Sequence, residues 1–522
     1  MAFCFVLTAI LVKFAYNIST KNQKPMSEYK FLYGASVQGI QGFIFQTNEL
    51  KDIVGASELV ENICTEMFKP YGEKGTIVVN AAGNVKCIFS KKEDCELAVR
   101  YFPKSVMEKA PGITISQAVV KLRSDESDFK GQVEKLEQQL HAQRNKPLRR
   151  VSYGPMAALR SRKTGFPAVK VVNNKGNVDF LDEATKAKRD HPENSTLKLA
   201  KKSFGNEELS AKAVAYDIGD LTDKNDWIAI IHADGNALGQ VVATKNNKPG
   251  ELKDFSEKLD AATVKAAQQA FAEIVKSPDY CPKGSVVPFR PVVLGGDDMT
   301  VICRASLAMR YVTSYIRHFE ENTLSNGKEN ALTACAGIAY MKSSYPFHYG
   351  YRLAEALCEE AKKDAKREDH LRKDGKAPSC IMFHKIQGSY VSNFSQIERD
   401  ELTINSKNSL KFGPYYLKQV DGETRWTINE LRNNVARLVN EKEDGNTAKT
   451  DIRQWLTLMH EDTDKAFQKE KRVHAVASHH NDETFRKATS RLMRGGICVY
   501  PAYDMLQLLT VENQITKEED NE

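Results

Sequence analysis

The sequence predicts an α+β chain in which the element order β-α-β-β-α-β occurs twice. Three observations carry that expectation. A strand, a helical stretch, a hairpin, a helix and a strand follow one another between residues 26 and 124, and the same order returns between 226 and 390. The hairpin of the second unit, PFRPVVLGGDDMTVIC (Pro288 to Cys303), carries two adjacent carboxylates on a Gly-Gly turn. The hairpin of the first unit turns through NAAGN (80–84), which has no acid. The repeat is one of element order rather than of sequence identity.

In the first unit, Phe31 to Val37 reads as a strand, and apolar spacing from Gly39 to Phe68 reads as a long helical segment with a break at Gly55. Thr76–Val79 and Lys86–Phe89 flank NAAGN as hairpin strands. A helix near Glu93–Lys109 and a strand near Gly112–Leu122 complete the split βαβ, or ferredoxin-like, order. Residues 125–225 form an inserted helical and basic linker, with a helix over Glu126–Gln143. Its cluster of Arg144, Arg149, Arg150, Arg160, Arg162 and Lys163 reads either as a solvated face or as a contact for phosphate or RNA.

In the second unit, Trp227–His232 is a strand, Leu252–Lys276 an amphipathic helix, Ser306–Glu320 a helix, Leu332–Met341 a strand and Tyr349–Lys366 a helix, with a short strand at Cys380–Phe383. Residues 391–522 read as a mostly helical C-terminal domain, with helices at Thr427–Asn440, Ala448–Met459 and Asp482–Met493 and an extended piece at Ile497–Tyr500.

A length of 522 residues exceeds what one hydrophobic core supports, in keeping with several domains. At 41% apolar and 27% charged residues, the composition is that of a globular chain, and a net charge of +7 permits nucleotide or nucleic-acid partners without demanding them. Ten cysteines are scattered with no CxxC spacing, so no structural zinc is expected and the thiols fit a reducing cytoplasm. Residues 1–25 hold an apolar run from Ala2 to Val12 that is short for a membrane span and lacks a basic leader. They are expected to be a dispensable extension or an over-long start, with a peripheral anchor as the alternative, and no membrane partner is expected.

The chemistry converges on the second hairpin. Glycines let its backbone turn tightly, which places Asp297 and Asp298 at the tip of two apolar strands. Asp234 ends the first strand of the same unit, which a βαββαβ sheet sets beside the hairpin. Three carboxylates so placed form a hard-oxygen site for Mg²⁺ or Mn²⁺. The turn from Gly235 through Asn236 to Gly239 opens toward a helix, and its N–H groups are candidates to cradle a triphosphate, with Gly295 and Gly296 at the hairpin. Lys362 and Lys366, four apart on one helix face, are further candidates for the triphosphate, or else part of a solvated face. Ser36 and Ser57 are weaker candidates for touching a second nucleotide, their alternative being capping or packing. His232 reads equally as a ligand and as a satisfied core histidine. The first unit, with Ala35–Ser36 and NAAGN where the acids would stand, is either scaffold or the acceptor half of a composite site.

With GIQGFIFQTNELKDIVGASELV (39–60), DGNALG (234–239), LGGDD (294–298), TACAGIAYMKSSYPFHYGYRLAEALCEEAKKDAK (333–366) and the CIMFHKIQGS that follows, the chain resembles the Cas10/Cmr2 family, the large subunit of type III CRISPR effectors. The resemblance covers residues 30–120 and 226–394. It implies paired palm domains, the first degenerate, and a GGDD second palm that makes cyclic oligoadenylates from ATP as a messenger in antiviral defence. It implies Asp234, Asp297 and Asp298 as the metal-site acids, Asp297 being the more direct ligand of its pair. The chain departs from the family where residues 1–30 are too few for an HD nuclease domain, where no four-cysteine zinc module separates the palms, and where His232 stands in place of an Asp common in relatives.

The expected function is therefore an Mg²⁺-dependent nucleotidyltransferase joining ATP into a cyclic or short linear oligonucleotide, a 3′-hydroxyl attacking an α-phosphate with loss of pyrophosphate. Two alternatives stand beside it. One is an idle nucleic-acid-binding or scaffold subunit of a CRISPR-like complex, using the basic stretch 144–163. The other is a dinucleotide cyclase acting as a homodimer on GTP or mixed nucleotides.

Overall fold

In a computed structural model of the chain, the described residues are 29–81, 83–145, 157–174, 177–190, 197–222, 226–236, 238–245, 247–277, 280, 286–324, 331–367, 370–372, 375–388, 393–420, 425–439, 447–476 and 479–512. The extension expected at 1–25, and Arg149 and Arg150 of the basic cluster, lie outside them. The chain divides into two compact units, residues 1–44, 55–191 and 239–258 in one, and 45–54, 192–238 and 259–522 in the other.

The first unit holds a four-stranded sheet of β1 (Tyr29–Gln38), β2 (Thr76–Ala81), β3 (Asn84–Phe89) and β4 (Thr114–Arg123), in the order β2-β3-β1-β4. Every neighbouring pair is antiparallel. Strand β4 shows why these residues form a sheet. Ser116, Ala118, Val120 and Leu122 are buried at every second position, so one side of the pleat is apolar. Opposite faces of β1 then pack differently. Tyr33 enters an aromatic cluster with Phe68, Phe89 and Phe102, the last on α2 (Lys92–Lys109). Leu32 joins Val120, Leu122 and the stripe Phe129, Val133, Leu136 and Leu140 of α3 (Phe129–Arg144). This helix, expected in an inserted linker, thus completes the core of the first sheet.

The segment expected as one long helix broken at Gly55 folds differently. It forms a short helix at Ile40–Ile44 and then α1 (Leu50–Asn62), with the interruption at residues 45–49. Gly55 lies within α1, where a Cβ would stand 1.7 Å from the Lys188 carbonyl oxygen. The glycine marks a close backbone approach, a reason that no local pattern contains. Beyond α3 the region 125–225 also carries a β-ribbon, β5 (Ala168–Asn174) with β6 (Asn177–Asp182), that was not anticipated.

The second unit holds β7 (Trp227–Gly235), β8 (Phe289–Gly295), β9 (Asp298–Arg304), β10 (Ala334–Lys342) and β11 (Cys380–Lys385). The order is β11-β10-β7-β9-β8, with Tyr415–Tyr416 added beyond β11. Strands β8-β9-β7-β10 repeat the order and the antiparallel pairing of the first sheet. β11 runs parallel to β10 because α6 (Phe347–Ala365) carries the chain back between them. Central β7, WIAIIHADG, is apolar from Trp227 to Ile231 and is buried from Ile228 to Ala233. α4 (Pro249–Val275) and α5 (Ala305–Thr323) supply the remaining helical connections.

The C-terminal region is less purely helical than expected. Helices at Ile428–Val439, Thr447–Glu461, Thr463–Val476, His479–Ala488 and Ala502–Glu512 accompany a sheet of four short strands, Thr403–Asn405, Asn408–Ser409, Ile497–Val499 and Leu492–Arg494. The helix expected to reach Met493 stops at Ala488, and a hairpin turns on Gly495 and Gly496, both at positive φ (54° and 84°). Two glycines in the left-handed region fit a tight strand reversal and not a helix.

Candidate metal centre at the glycine hairpin

Asp234 stands one residue before the end of β7, opposite Cys335 on β10. Gly295 and Asp298 form the last pair of the β8–β9 hairpin, so Gly296 and Asp297 make a two-residue tip with Gly296 at φ 64°. Gly235 supplies the room between these elements. A Cβ there would lie 2.3 Å from Leu238 Cδ1 and 3.1 Å from the Asp297 Cβ. The fold thus brings the three expected acids together. Asp234, Asp297 and Asp298 each offer an oxygen within 4.8 Å of the others, the one such group of metal-ligating side chains found among the described residues.

Residues that the sequence did not single out brace the tip. The Gly296 N–H donates to Asp260 Oδ1 at 3.2 Å, and Thr263 Oγ1 donates to the Gly296 carbonyl at 2.6 Å. Both side chains project from α4, one turn apart. Lys202 donates to the Leu294 carbonyl at 3.2 Å and pairs with Asp260 at 3.5 Å. A polar helix face is compatible with plain solvation, so only the folded contact reveals this role.

Burial, reinforced by the crowding of like charge, dominates the electrostatics. Burial, the Asp234 carboxylate and the Asp298 charge push Asp297 up to about 8. Burial, then Asp234, push Asp298 up to about 7, with Lys362 opposing and Glu355 adding to the rise. Carboxyl groups held this far above their ordinary range gain from a cation that neutralises them. A divalent hard cation fits the donor set, three carboxylates with the Gly235 carbonyl nearby, whereas no soft donor belongs to it.

The other candidates divide. Lys362 is at the site, ion-paired with Asp234 Oδ2 and donating to the Gly235 carbonyl at 3.0 Å. Burial lowers its pKa and the Asp234 carboxylate raises it, with a net rise. Lys366 is exposed past the end of α6, its N–H bonded to the Lys362 carbonyl at 3.1 Å, and its side chain makes no described contact with the acids. Asn236 is tied into the fold, its N–H donating to the Thr333 carbonyl at 2.8 Å and its Nδ2 to Thr333 Oγ1 at 3.1 Å. Gly239 lies inside the helix Leu238–Lys245 and is exposed, so the expected open turn closes into a helix by Leu238.

Ser36 and Ser57 belong to the first unit and are buried, Ser36 accepting from Arg144 Nη2 at 3.4 Å. His232 behaves as a core side chain. Its Nδ1 lies 3.1 Å from Thr300 Oγ1, its ring meets Tyr351 edge-on at 5.6 Å, and burial lowers it to about 4. Tyr351 in turn stacks on Phe45, and Asn48 Oδ1 accepts from the Phe347 N–H at 3.1 Å.

Strands β8-β9-β7-β10 thus form a sheet with three carboxylates converging at its hairpin tip. Residues 227–371 match the family model of the Cas10/Cmr2 second palm domain, which supports the resemblance to that family over this part of the chain. The fold is similar to that of a Csm1–Csm4 cassette solved in complex with cA4, at 12% identity, 93% of this chain, 69% of that chain and a TM-score of 0.57. The same cassette with AMPPNP aligns at 13% identity, 93% and 69% coverage and a TM-score of 0.55. Csm1 of T. onnurineus aligns at 14% identity, 94% and 70% coverage and a TM-score of 0.54. At these identities the likeness is one of fold. No curated protein matches the chain by sequence. Among the described residues, no helix is long and apolar enough to cross a membrane.

Proposed function

We propose that the chain is a nucleotidyltransferase that joins ATP into a cyclic or short linear oligoadenylate, as a signalling subunit of a type III CRISPR-like defence system. The observation that carries this reading is the convergence of Asp234, Asp297 and Asp298 at a braced hairpin tip. Both sheets are read as ferredoxin-like palms, at residues 26–124 and 226–390, with a linker at 125–225 and a C-terminal domain at 391–522. The acid-free NAAGN turn leaves the chemistry to the second palm.

Asp297 and Asp234 would hold the divalent cation, Mg²⁺ or Mn²⁺, with Asp298 completing or orienting the set. When bound, such a cation neutralises charge on the transferring phosphate and lowers the pKa of an attacking 3′-hydroxyl. Lys362 offers its ammonium to the triphosphate of the nucleotide under attack. His232, held near 4 by burial, stays neutral and fills a packing role beside the acids. The similar cassettes pair Csm1 with Csm4, and a partner of that kind is the first to look for beside this chain.

The deciding experiment incubates the purified chain with ATP and Mg²⁺, alone and with added RNA, and resolves the products. Pyrophosphate with an oligoadenylate supports the reading. Their absence under every condition, while the folded chain still binds RNA, would establish the scaffold reading instead. Competition by GTP and the product mass distinguish a dinucleotide cyclase.

A further inference from the structure

Lys362 does more than wait for phosphate. Its ammonium pairs with Asp234 Oδ2 and donates to the carbonyl of Gly235 at 3.0 Å. A carboxylate and the adjoining backbone carbonyl are hard oxygens of the kind that a divalent cation takes as ligands. The ammonium, a compact charge with three donors, is the side-chain group best able to imitate such a cation.

The fold keeps this lysine there. α6 approaches β10 closely enough that a Cβ on Gly337 would lie 1.9 Å from the Ala354 carbonyl and 2.6 Å from the Cys358 N. Lys362 follows Cys358 by one turn, and its side chain is only 17% exposed. With its Cα fixed by this packing, the ammonium has the reach of its four-carbon stem and no more.

We propose that Lys362 is a resident counter-ion that occupies part of the cation site when no nucleotide is bound, and that a triphosphate recruits it away. Resting on the metal-dependent reading above, this makes cation and nucleotide binding mutually supportive. The cation alone must compete with the ammonium for Asp234. Once phosphate oxygens draw the ammonium off, Asp234 is released to the cation. An idle site is thereby kept from filling with cation before substrate arrives. Lys362 acts here as a positioning residue, through Asp234 and the phosphates.

The test is Mn²⁺ binding to the full chain without nucleotide, read by electron paramagnetic resonance, for the wild type, Lys362→Met, Lys362→Gln and Asp297→Asn. Metal-free binding of a non-hydrolysable ATP analogue in EDTA is measured in parallel. Removing the ammonium is expected to tighten Mn²⁺ binding roughly tenfold and to weaken the metal-free analogue by a similar factor. Two substitutions guard against one failing to fold, and Lys362→Arg, which retains a charge, is expected to bind Mn²⁺ as weakly as the wild type. Mn²⁺ binding no tighter in Met and Gln variants than in the wild type overturns the counter-ion role while leaving the metal site intact. Mn²⁺ bound by none of the forms, or equally by Asp297→Asn, overturns the metal-site reading itself, and the proposal with it.

Discussion

Gly337 on β10 lies so close to Ala354 on α6 that a methyl group at Gly337 would stand 1.9 Å from the Ala354 carbonyl oxygen. That contact sets the height of α6 over the sheet, and hence where Lys362 meets Asp234. A backbone carbonyl within a helix has no rotamer by which to yield. Gly337→Ala is therefore expected to cost about 3 kcal/mol, through strain and helix displacement. Urea denaturation measures the loss, and turnover of ATP should fall further than the folded fraction does. Unchanged stability would mean that the approach is looser than described.

Asp297 tests the chemistry. Its carboxyl is pushed up to about 8 by burial and by its acidic neighbours. Asp297→Asn keeps the shape and removes the charge, and is expected to lower turnover by roughly a thousandfold. Because the folded pKa lies above the unfolded one, ionising this group at neutral pH costs stability. The variant should accordingly melt no lower than the wild type in EDTA. Product analysis with ATP and Mg²⁺, beside a melting curve, checks both halves.

The hairpin brace tests preorganisation. Thr263 donates to the Gly296 carbonyl at 2.6 Å, and Thr263→Val deletes that bond with little change of volume. A loss of about 1 kcal/mol in stability is expected. Loosening of the tip should lower kcat more than it raises KM, because the acids are held less firmly rather than removed. A change confined to KM would argue that the brace serves substrate binding.

Asp504 tests a pH dependence away from the acids. It accepts from the Tyr415 hydroxyl at 2.7 Å and from the Gly413 N–H at 3.3 Å. Burial outweighs these bonds and the nearby Arg494, and pushes its carboxyl up to about 7. With a raised folded pKa, the native state retains a proton that the unfolded chain releases, so stability is highest in acid and declines as pH rises toward 7. Urea midpoints at about pH 5 and about pH 7 should show this decline in the wild type and a smaller one in Asp504→Asn.

Much of the site was legible before folding was considered. Glycine at a tight turn, adjacent aspartates, and an aspartate closing an apolar strand are local features with local causes. The alternation in β4 and the apolar run of β7 likewise announce half-buried and fully buried strands. Other features depend on surfaces that meet across the chain. Gly55 read as a helix break because nothing nearby in sequence mentions the Lys188 carbonyl. Asp260 and Thr263 do not stand out within the amphipathic helix expected at Leu252–Lys276 because Gly296 is 36 and 33 residues away. The region 125–225 read as an insertion because the apolar stripe of α3 does not say which sheet it will cover.

The residue types and spacings alone determined two βαββαβ orders, one acid-bearing hairpin and one without acids, since periodicity and turn chemistry are short-range properties of the chain. Tertiary packing decided the rest. It settled that His232 is a neutral core side chain held by Thr300. It brought three carboxylates within 4.8 Å, a proximity that strand pairing creates. It also set Lys362 against Asp234, 128 residues apart, because α6 rests on β10 at a glycine.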